Sequence, residues 1–318
     1  MFLESFKIGG LAVCQIFLLG AVGYFLVKRN ILGPEGLDAL SRLVIEVTLP
    51  ILIFCQLIQD FKFTLYPNWW IFPLISIVIT AIGLVVGFLF SGFIKGTQQK
   101  LQFLSLVTFQ NSGYLPLALV AALLTQDKLN SMFIYIFLFL LGFNLVIWSL
   151  GIYMLTFHKN KRFELGSLFS PPVIATIFSL LFIFLGLKNI VPEFIFKPLK
   201  ITGDCTLPLA MFVVGGNLAS IRLGRIDKKA ISLMIMAKLC ILPLLGLGFM
   251  LKFKLPELMG LLVLLQLAMP PATSLSVITR HYKKEDLLIS QGIFFGHIAS
   301  LITIPVFLSL YFMLVMVK

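Results

Sequence analysis

Charged residues are scarce in this sequence: 12% of its 318 residues are Asp, Glu, Lys or Arg, whereas 59% are hydrophobic. Soluble domains are about one quarter charged and about half apolar. A water-soluble globule and an intrinsically disordered chain are therefore both excluded, because so much apolar surface could not be hidden in a chain of this length. The composition predicts a polytopic helical membrane protein.

Cysteine and histidine are also rare, with four and three residues respectively. Each cysteine lies in an apolar run and no CxxC pair occurs, which argues against a disulfide framework or a zinc site. The sequence has no Walker A loop for ATP and no cluster of His, Asp or Glu for catalysis within a membrane. We therefore predict a protein that is not an enzyme and that uses neither a metal nor a cofactor.

The 25 basic residues outnumber the 13 acidic residues, but the basic residues sit in short segments between apolar runs. This distribution is typical of the cytoplasmic loops of membrane proteins and not of a nucleic-acid-binding surface. The expected partners are the lipid bilayer and a small solute, with no nucleic acid.

Ten apolar segments are each long enough to cross about 30 Å of hydrocarbon as a helix. These spans, numbered in chain order, are 8–27, 39–58, 69–94, 102–125, 131–157, 171–188, 198–220, 229–251, 256–279 and 287–316. Lys and Arg are more numerous in the loops that are cytoplasmic if the N-terminus is outside. The positive-inside rule thus predicts a multi-pass protein of the plasma membrane with both termini on the outer side.

The two halves of the chain carry matching motifs. Residues 46–54 read Glu-Val-Thr-Leu-Pro-Ile-Leu-Ile-Phe, and residues 204–212 read Asp-Cys-Thr-Leu-Pro-Leu-Ala-Met-Phe. The offset from 46 to 204 also superimposes spans 3, 4 and 5 on spans 8, 9 and 10. Chance similarity between apolar segments is the alternative, and the agreement of five span positions argues against it. The sequence therefore predicts two copies of a five-helix unit.

An odd number of spans in each unit has a topological consequence, because the second copy must enter the membrane with the opposite polarity. Inverted repeats of this kind are typical of secondary transporters. The predicted organisation is a first repeat over 1–157, a short cytoplasmic linker over 158–170 and a second, inverted repeat over 171–318.

Spans 4 and 9 are interrupted near their centres. Residues 108–116 read Thr-Phe-Gln-Asn-Ser-Gly-Tyr-Leu-Pro, and residues 266–274 read Gln-Leu-Ala-Met-Pro-Pro-Ala-Thr-Ser. Proline removes a backbone donor and clashes with the preceding helical turn, and the freed groups must be buried in protein or line a cavity. Paired interruptions at matching positions indicate a binding site at the bilayer midplane. Two structural kinks without a ligand are the alternative.

Each interruption starts a new half-helix, whose N-terminus carries a partial positive charge that suits an anion. Neither break contains Asp, Glu, Lys or Arg, so no local acid neutralises these N-termini and a ligand carboxylate is favoured. The predicted substrate-binding residues are Asn111, Ser112, Gly113, Tyr114, Pro116, Pro270, Pro271, Ala272, Thr273 and Ser274.

Three ionisable residues lie inside predicted spans: Glu46, Asp204 and Lys238. Each costs at least ~2.5 kcal/mol at the bilayer centre and therefore calls for a partner or a function. We predict that Lys238 pairs with Glu46 or Asp204 and forms a charge switch. A static ion pair, or carboxylates close enough to the interface to be hydrated, are the alternatives. Pro50 and Pro208 are predicted to kink spans 2 and 7.

Five short motifs resemble the auxin efflux carrier family, which includes bacterial organic-acid permeases and the plant PIN carriers. They are residues 49–54, 110–117, 208–212 with Gly215 and Gly216, 269–272 and 300–305. The resemblance implies an all-α fold of ten transmembrane helices in a five-plus-five inverted repeat, with crossed discontinuous helices 4 and 9. This is similar to the folds of sodium/proton antiporters and bile acid symporters.

The resemblance also implies transport of organic anions, either auxin or dicarboxylates such as malate and malonate. The family's asparagine before the crossing corresponds to Asn111, and its crossing prolines correspond to Pro116 and Pro270. The chain lacks the long central loop of the plant carriers, which favours a prokaryotic-type member in a bacterial inner membrane and argues against auxin itself.

We therefore predict a secondary carrier or uniporter of small carboxylates that works by alternating access. A cation/proton antiporter or a sodium-coupled symporter of the same fold is the main alternative, and it would be expected to carry an acidic residue in one of the breaks. A membrane enzyme is a more distant alternative. The sequence leaves the oligomeric state open, with a homodimer among the possibilities.

Overall fold

The computed structural model describes residues 2–156, 169–221, 223–224, 226–281 and 287–315, and this part of the chain contains helices and no strand. Most of the predicted linker 158–170 lies outside the described residues. The helices are α1 (Phe2–Lys28), α2 (Pro34–Asp60), α3 (Ile71–Ser91), α4 (Thr97–Thr108), α5 (Tyr114–Leu123), α6 (Gln126–Thr156), α7 (Pro171–Phe184), α8 (Glu193–Asp204), α9 (Thr206–Ser220), α10 (Lys228–Lys252), α11 (Glu257–Ala268), α12 (Ser274–His281) and α13 (Leu287–Leu314).

Seven helical stretches of the described chain are long and apolar enough to cross a membrane. They are α1, α2, α3, α6, α8 together with α9, α10 and α13, and they coincide with seven of the ten predicted spans. Spans 4, 6 and 9 contain shorter apolar helices, which are α5, α7 and α11. Spans 4 and 9 are divided because each is interrupted near its middle.

Span 6 is shorter than the predicted range 171–188, since α7 ends at Phe184. Gly186 follows with φ +72°, a left-handed conformation that glycine adopts without steric penalty, and its N–H donates to the carbonyl of Ile183 at 3.0 Å. This is a common way for a helix to end. The apolar residues beyond it made the span look longer in the sequence than it is.

Several helices present large apolar side chains on the outside of the molecule. Phe88 and Leu89 of α3 are exposed, as are Phe178, Leu181 and Phe184 of α7. Contiguous apolar surface of this kind marks contact with another molecule or with lipid. On α3, which is of membrane-crossing length, the outward apolar face fits the hydrocarbon of a bilayer.

The repeated Thr-Leu-Pro motifs lie where two helices are irregular. A π-helical turn over Val44–Thr48 precedes Pro50 in α2, and a turn at Cys205 separates α8 from α9 just before Pro208. The two helices approach closely beside these motifs, because a Cβ atom on Gly203 would lie 2.9 Å from the Cα atom of Leu52. The pair of motifs thus sits at a crossing between α2 and the α8–α9 stretch.

Close backbone contact also joins α1 to α9. A Cβ atom on Gly215 would collide with the carbonyl oxygen of Gly20, and one on Gly23 would collide with the backbone of Phe212. Small residues at such positions let two membrane helices approach to backbone contact. The glycines therefore set the distance between α1 and α9.

We expect Gly215→Val to destabilise the protein by about 2 kcal/mol or more, because two backbones must separate to accept the side chain and overpacking of this kind typically costs 1–3 kcal/mol. The measurement is thermal unfolding of the purified protein in detergent. Gly248→Val in α10 is the matched control, since a Cβ atom there meets nothing within 4 Å. Equal melting temperatures for the two variants would contradict the tight α1–α9 contact.

Candidate functional site

Both interruptions predicted from the sequence are present in the structure. In span 4, α4 ends at Thr108, Phe109 is extended (φ −101°, ψ 117°) and α5 begins at Tyr114. Pro116 lies in the first turn of α5, where a missing N–H removes no helical hydrogen bond. The break therefore ends in a position that proline favours.

The second interruption follows the same pattern in span 9. Helix α11 ends at Ala268, Met269 is extended (φ −69°, ψ 143°) and α12 begins at Ser274. Pro270 and Pro271 fill the gap, and neither can donate a backbone hydrogen bond. Two consecutive prolines thus prevent α11 from continuing into α12.

The two broken segments pair with each other through their backbones. Gln110 and Pro271 form an isolated antiparallel bridge. The N–H of Asn111 donates to the carbonyl of Pro270 at 2.8 Å, and the N–H of Ala272 donates to the carbonyl of Phe109 at 3.0 Å. Backbone groups released by one break are thereby satisfied by the other, as they must be away from water.

A cavity of about 180 Å³ lies against this crossing. Seven of the ten predicted binding residues line it, namely Asn111, Ser112, Gly113, Tyr114, Ala272, Thr273 and Ser274. Pro116, Pro270 and Pro271 are buried nearby but do not line it. The volume exceeds the space that a single water molecule needs and is smaller than the sites of drug-sized ligands. It suits a small solute.

The first turns of α5 and α12 border the cavity through Tyr114 and Ser274. The first N–H groups of a helix have no partners within the helix, and they carry the positive end of the helix dipole. Among the described residues, no charged side chain lines the cavity. The polarity of the site therefore comes from backbone amides and neutral side chains.

Gln110 also lines the cavity, although it is not among the residues predicted from the sequence to bind the substrate. Its side chain is fully buried, and within the described residues neither its Nε2 nor its Oε1 atom has a hydrogen-bond partner. A buried amide without partners is uncommon and calls for a ligand or a bound water molecule. The signal in the sequence was its place inside the uncharged polar run of span 4.

Two further amides face the same cavity from other helices. Asn144 of α6 and Asn217 of α9 both line it. Asn217 lies near the end of span 7, outside the breaks of spans 4 and 9, and no local motif marks Asn144. Only the packing of α6 and α9 against the crossing brings them to the site.

Asn111 is held in place by His297 of α13. The Nδ1 atom of His297 lies 2.8 Å from the carbonyl oxygen of Ile293, so this nitrogen carries the proton. The Nε2 atom is then an acceptor, and the Nδ2 atom of Asn111 lies 3.5 Å from it. The histidine is fully buried and orients the asparagine through this contact.

The predicted pairing of Lys238 with a carboxylate is wrong for this structure. Glu46 instead pairs with Arg42 one helical turn away, at 3.1 Å, and both side chains are at least half exposed. Asp204 is also exposed. Lys238 is buried, and its Nζ atom donates to the carbonyl of Val107 at 2.9 Å. The carboxylates lie on the outer faces of α2 and α8, where tertiary packing keeps them away from the buried amine.

Comparison with known proteins places the chain among membrane transporters. Residues 10–165 and 155–308 match a family model described as "Membrane transport protein". An uncharacterized transporter of Methanothermobacter thermautotrophicus is 25% identical over 300 residues, which cover 92% of this chain and 95% of that protein. Protein PIN-LIKES 7 of Arabidopsis thaliana is 21% identical over an alignment of 361 positions, which covers 88% of this chain and 90% of that protein.

A shorter match reaches a higher identity. Protein PIN-LIKES 6 of Arabidopsis thaliana is 30% identical over 124 residues, which cover 38% of this chain. The match covers 29% of the length of that protein. It therefore shows similarity to one segment of the plant protein and not to its whole length.

Proposed function

The chain belongs to the membrane transport protein family, that of the auxin efflux carriers, and we propose on this basis that it is a secondary carrier of small organic anions. The cavity at the paired helix breaks is the observation that carries the proposal. It is bordered by the N-terminal turns of α5 and α12 and by the neutral amides of Gln110 and Asn111. Helix N-termini bind carboxylates, and in the part of the chain that the structure describes no acidic residue lines the cavity to repel them.

We propose a five-plus-five inverted repeat as the framework of this site. The breaks lie at matching places in the two halves, and the bridge between Gln110 and Pro271 is antiparallel. Opposite insertion of two similar units makes their equivalent segments run antiparallel where they meet. Spans 1, 2, 6 and 7 would form a scaffold against which the crossed segments and their neighbours move, as alternating access requires.

The position of the cavity suggests which side of the membrane it faces. Its residues away from the crossing include Ser41, Asn144, Trp148, Asn217 and Val277. Ser41, Asn217 and Val277 lie near the ends of their spans that the positive-inside rule assigns to the cytoplasm, and Trp148 lies in the cytoplasmic half of span 5. We propose that this conformation opens to the cytoplasm and that the outward-open state forms by movement of the crossed segments.

Uptake by proteoliposomes tests the proposal. The purified full-length protein is reconstituted and supplied with labelled malonate, malate or indole-3-acetate across a range of pH values, with protein-free vesicles as the control. We expect saturable uptake of at least one carboxylate and exchange against the same unlabelled anion. Protein-dependent sodium–proton exchange without carboxylate movement would instead favour the cation antiporter alternative.

Asn111→Ala is expected to lower the rate of transport at least tenfold without preventing membrane insertion. The substitution removes a cavity-lining amide, and a hydrogen bond to a charged ligand typically contributes ~1.5–3 kcal/mol. Initial uptake rates are compared at equal amounts of reconstituted protein. Asn68→Ala, at an exposed loop position, is the control. Wild-type rates in Asn111→Ala would remove this residue from the site.

A further inference from the structure

Lys238 is a buried ionisable residue that takes no part in the proposed substrate site. It lies in a π-helical turn, Met236–Ile241, within α10 and is 1% exposed. It does not line the cavity. An ammonium group in the interior of a membrane protein is costly, and such groups are as a rule functional.

The amine of Lys238 caps one of the broken helices. Its Nζ atom donates to the carbonyl of Val107 at 2.9 Å, in the last turn of α4. The last carbonyl groups of a helix have no partners within the helix and carry its negative end. The amine of Lys238 therefore lies at the C-terminal end of α4, on the opposite side of the break from the N-terminus of α5.

The last turns of α4 and α11 each contain a buried side-chain oxygen atom that lacks a hydrogen-bond partner within the described residues. Within the described part of the chain, the Oγ1 atom of Thr108, next to Val107, is buried without a hydrogen-bond partner. On α11, the Oε1 atom of Gln266 is likewise buried without a partner, while its Nε2 atom donates to the carbonyl of Ser112 at 3.2 Å. The ends of α4 and α11 thus offer acceptors that suit a positive charge.

No carboxylate faces this amine within the described residues of the neighbouring helices. The turn that holds Lys238 packs against α3, α4, α11 and α13. Among these, Glu257 at the first position of α11 is the acidic residue, and it is partly exposed in an ion pair with Lys128. Within the described residues, the amine of Lys238 is therefore held by a carbonyl of the last turn of α4 and not by an acid.

In secondary transporters, the C-terminal ends of broken helices and unwound carbonyls coordinate the coupling cation. We propose that the ammonium of Lys238 occupies this position as a covalently attached cation, so that anion transport by this chain needs no sodium ion. The inference rests on the proposed carrier function and specifies its ion requirement. Lys238 acts through the end of α4 and does not touch the substrate, so it is a positioning residue.

The first test measures cation binding and needs no substrate. The melting temperature of the purified full-length protein is determined in NaCl and in KCl, together with binding of radioactive sodium. Wild type should show no sodium-specific stabilisation and no bound sodium. Lys238→Ala should melt at least 5 °C lower in KCl and recover much of that loss in NaCl or methylammonium chloride. Stoichiometric sodium binding by wild type, or a variant that no cation stabilises, would overturn the inference.

The second test measures transport. Wild-type uptake should be equal within twofold in sodium and in choline buffers. Lys238→Ala should be at least tenfold slower in choline, and sodium or methylammonium should raise its rate at least fivefold. Lys238→Arg keeps the charge and should retain sodium-independent transport. Lys229→Ala, at an exposed position of the same helix, should match wild type. Full activity of Lys238→Ala in choline would contradict the proposal.

The two tests separate the two proposals. If wild type moves no carboxylate in any salt, the carrier function fails, while the sodium-binding measurements still decide the role of Lys238. If Lys238→Ala does not fold, Lys238→Gln takes its place. The sodium requirement of wild type is then measured as before, and a strict requirement would refute the inference.

Discussion

Replacing Pro270 and Pro271 together by alanine is expected to abolish transport, with a loss of at least 100-fold, and to leave the protein folded. Proline disfavours a helix interior by about 3 kcal/mol relative to alanine at each position. The double substitution removes this barrier, so α11 can continue toward α12. The carbonyl of residue 270 would then accept from the N–H of residue 274, as in any α-helix, and would no longer accept from Asn111.

Loss of that hydrogen bond separates the two crossed segments, and the amides at the start of α12 become part of a continuous helix. Hydrogen exchange followed by mass spectrometry measures this directly, because the N–H of Thr273 should gain protection in the continuous helix while the N–H of Asn111 loses it. Pro256→Ala is the matched control. Pro256 is exposed and precedes α11, and its replacement should change transport by less than twofold. Unchanged exchange and transport in the double variant would show that the break does not depend on the prolines.

Gln110→Glu is the second substitution with a large expected effect, again a loss of transport of at least 100-fold. The new side chain has nearly the same shape but gives up the NH₂ donor. A negative charge at this buried position also opposes an anionic substrate. Two like charges 4 Å apart repel by about 4 kcal/mol at an effective dielectric constant of 20. Both effects weaken substrate binding.

Two companion variants separate these contributions. Gln110→Leu removes the amide without adding charge and should lose less activity than Gln110→Glu. Gln99→Glu adds the same charge at an exposed position near the start of α4 and should behave like wild type. Initial uptake rates and substrate affinity are measured for all three. If Gln110→Glu transports the anion with wild-type affinity, the unpartnered amide is not part of the substrate site.

The local sequence was sufficient to predict several features of the fold. Two adjacent prolines cannot continue a helix, so the break after Ala268 is determined within a few residues of chain. Apolar runs of membrane-crossing length produce helices wherever they occur, and seven of the predicted spans appear as such helices. Family membership also follows from short motifs in a fixed order, and the family match confirms it.

Other features depend on which segments meet. The sequence placed three ionisable residues inside spans, but packing exposes Glu46 beside Arg42 and buries Lys238 against Val107. Span 6 ended early because Gly186 adopts a left-handed conformation. Such outcomes depend on the rotation of a helix about its axis and on the φ angle of a single residue, and neither follows from hydropathy.

The candidate site shows the same division. Its place in the chain, at two matching interruptions, is set by residue types that release backbone groups inside the membrane. Its lining is set by tertiary structure, because Asn144 and Asn217 reach it from distant spans and His297 orients Asn111 from α13. Local sequence determines where a helix must stop, since that is a matter of bonded neighbours. Which polar groups then remain without a partner is decided by contacts between residues far apart in the chain, and the side chain of Gln110 is among those that remain so within the described residues.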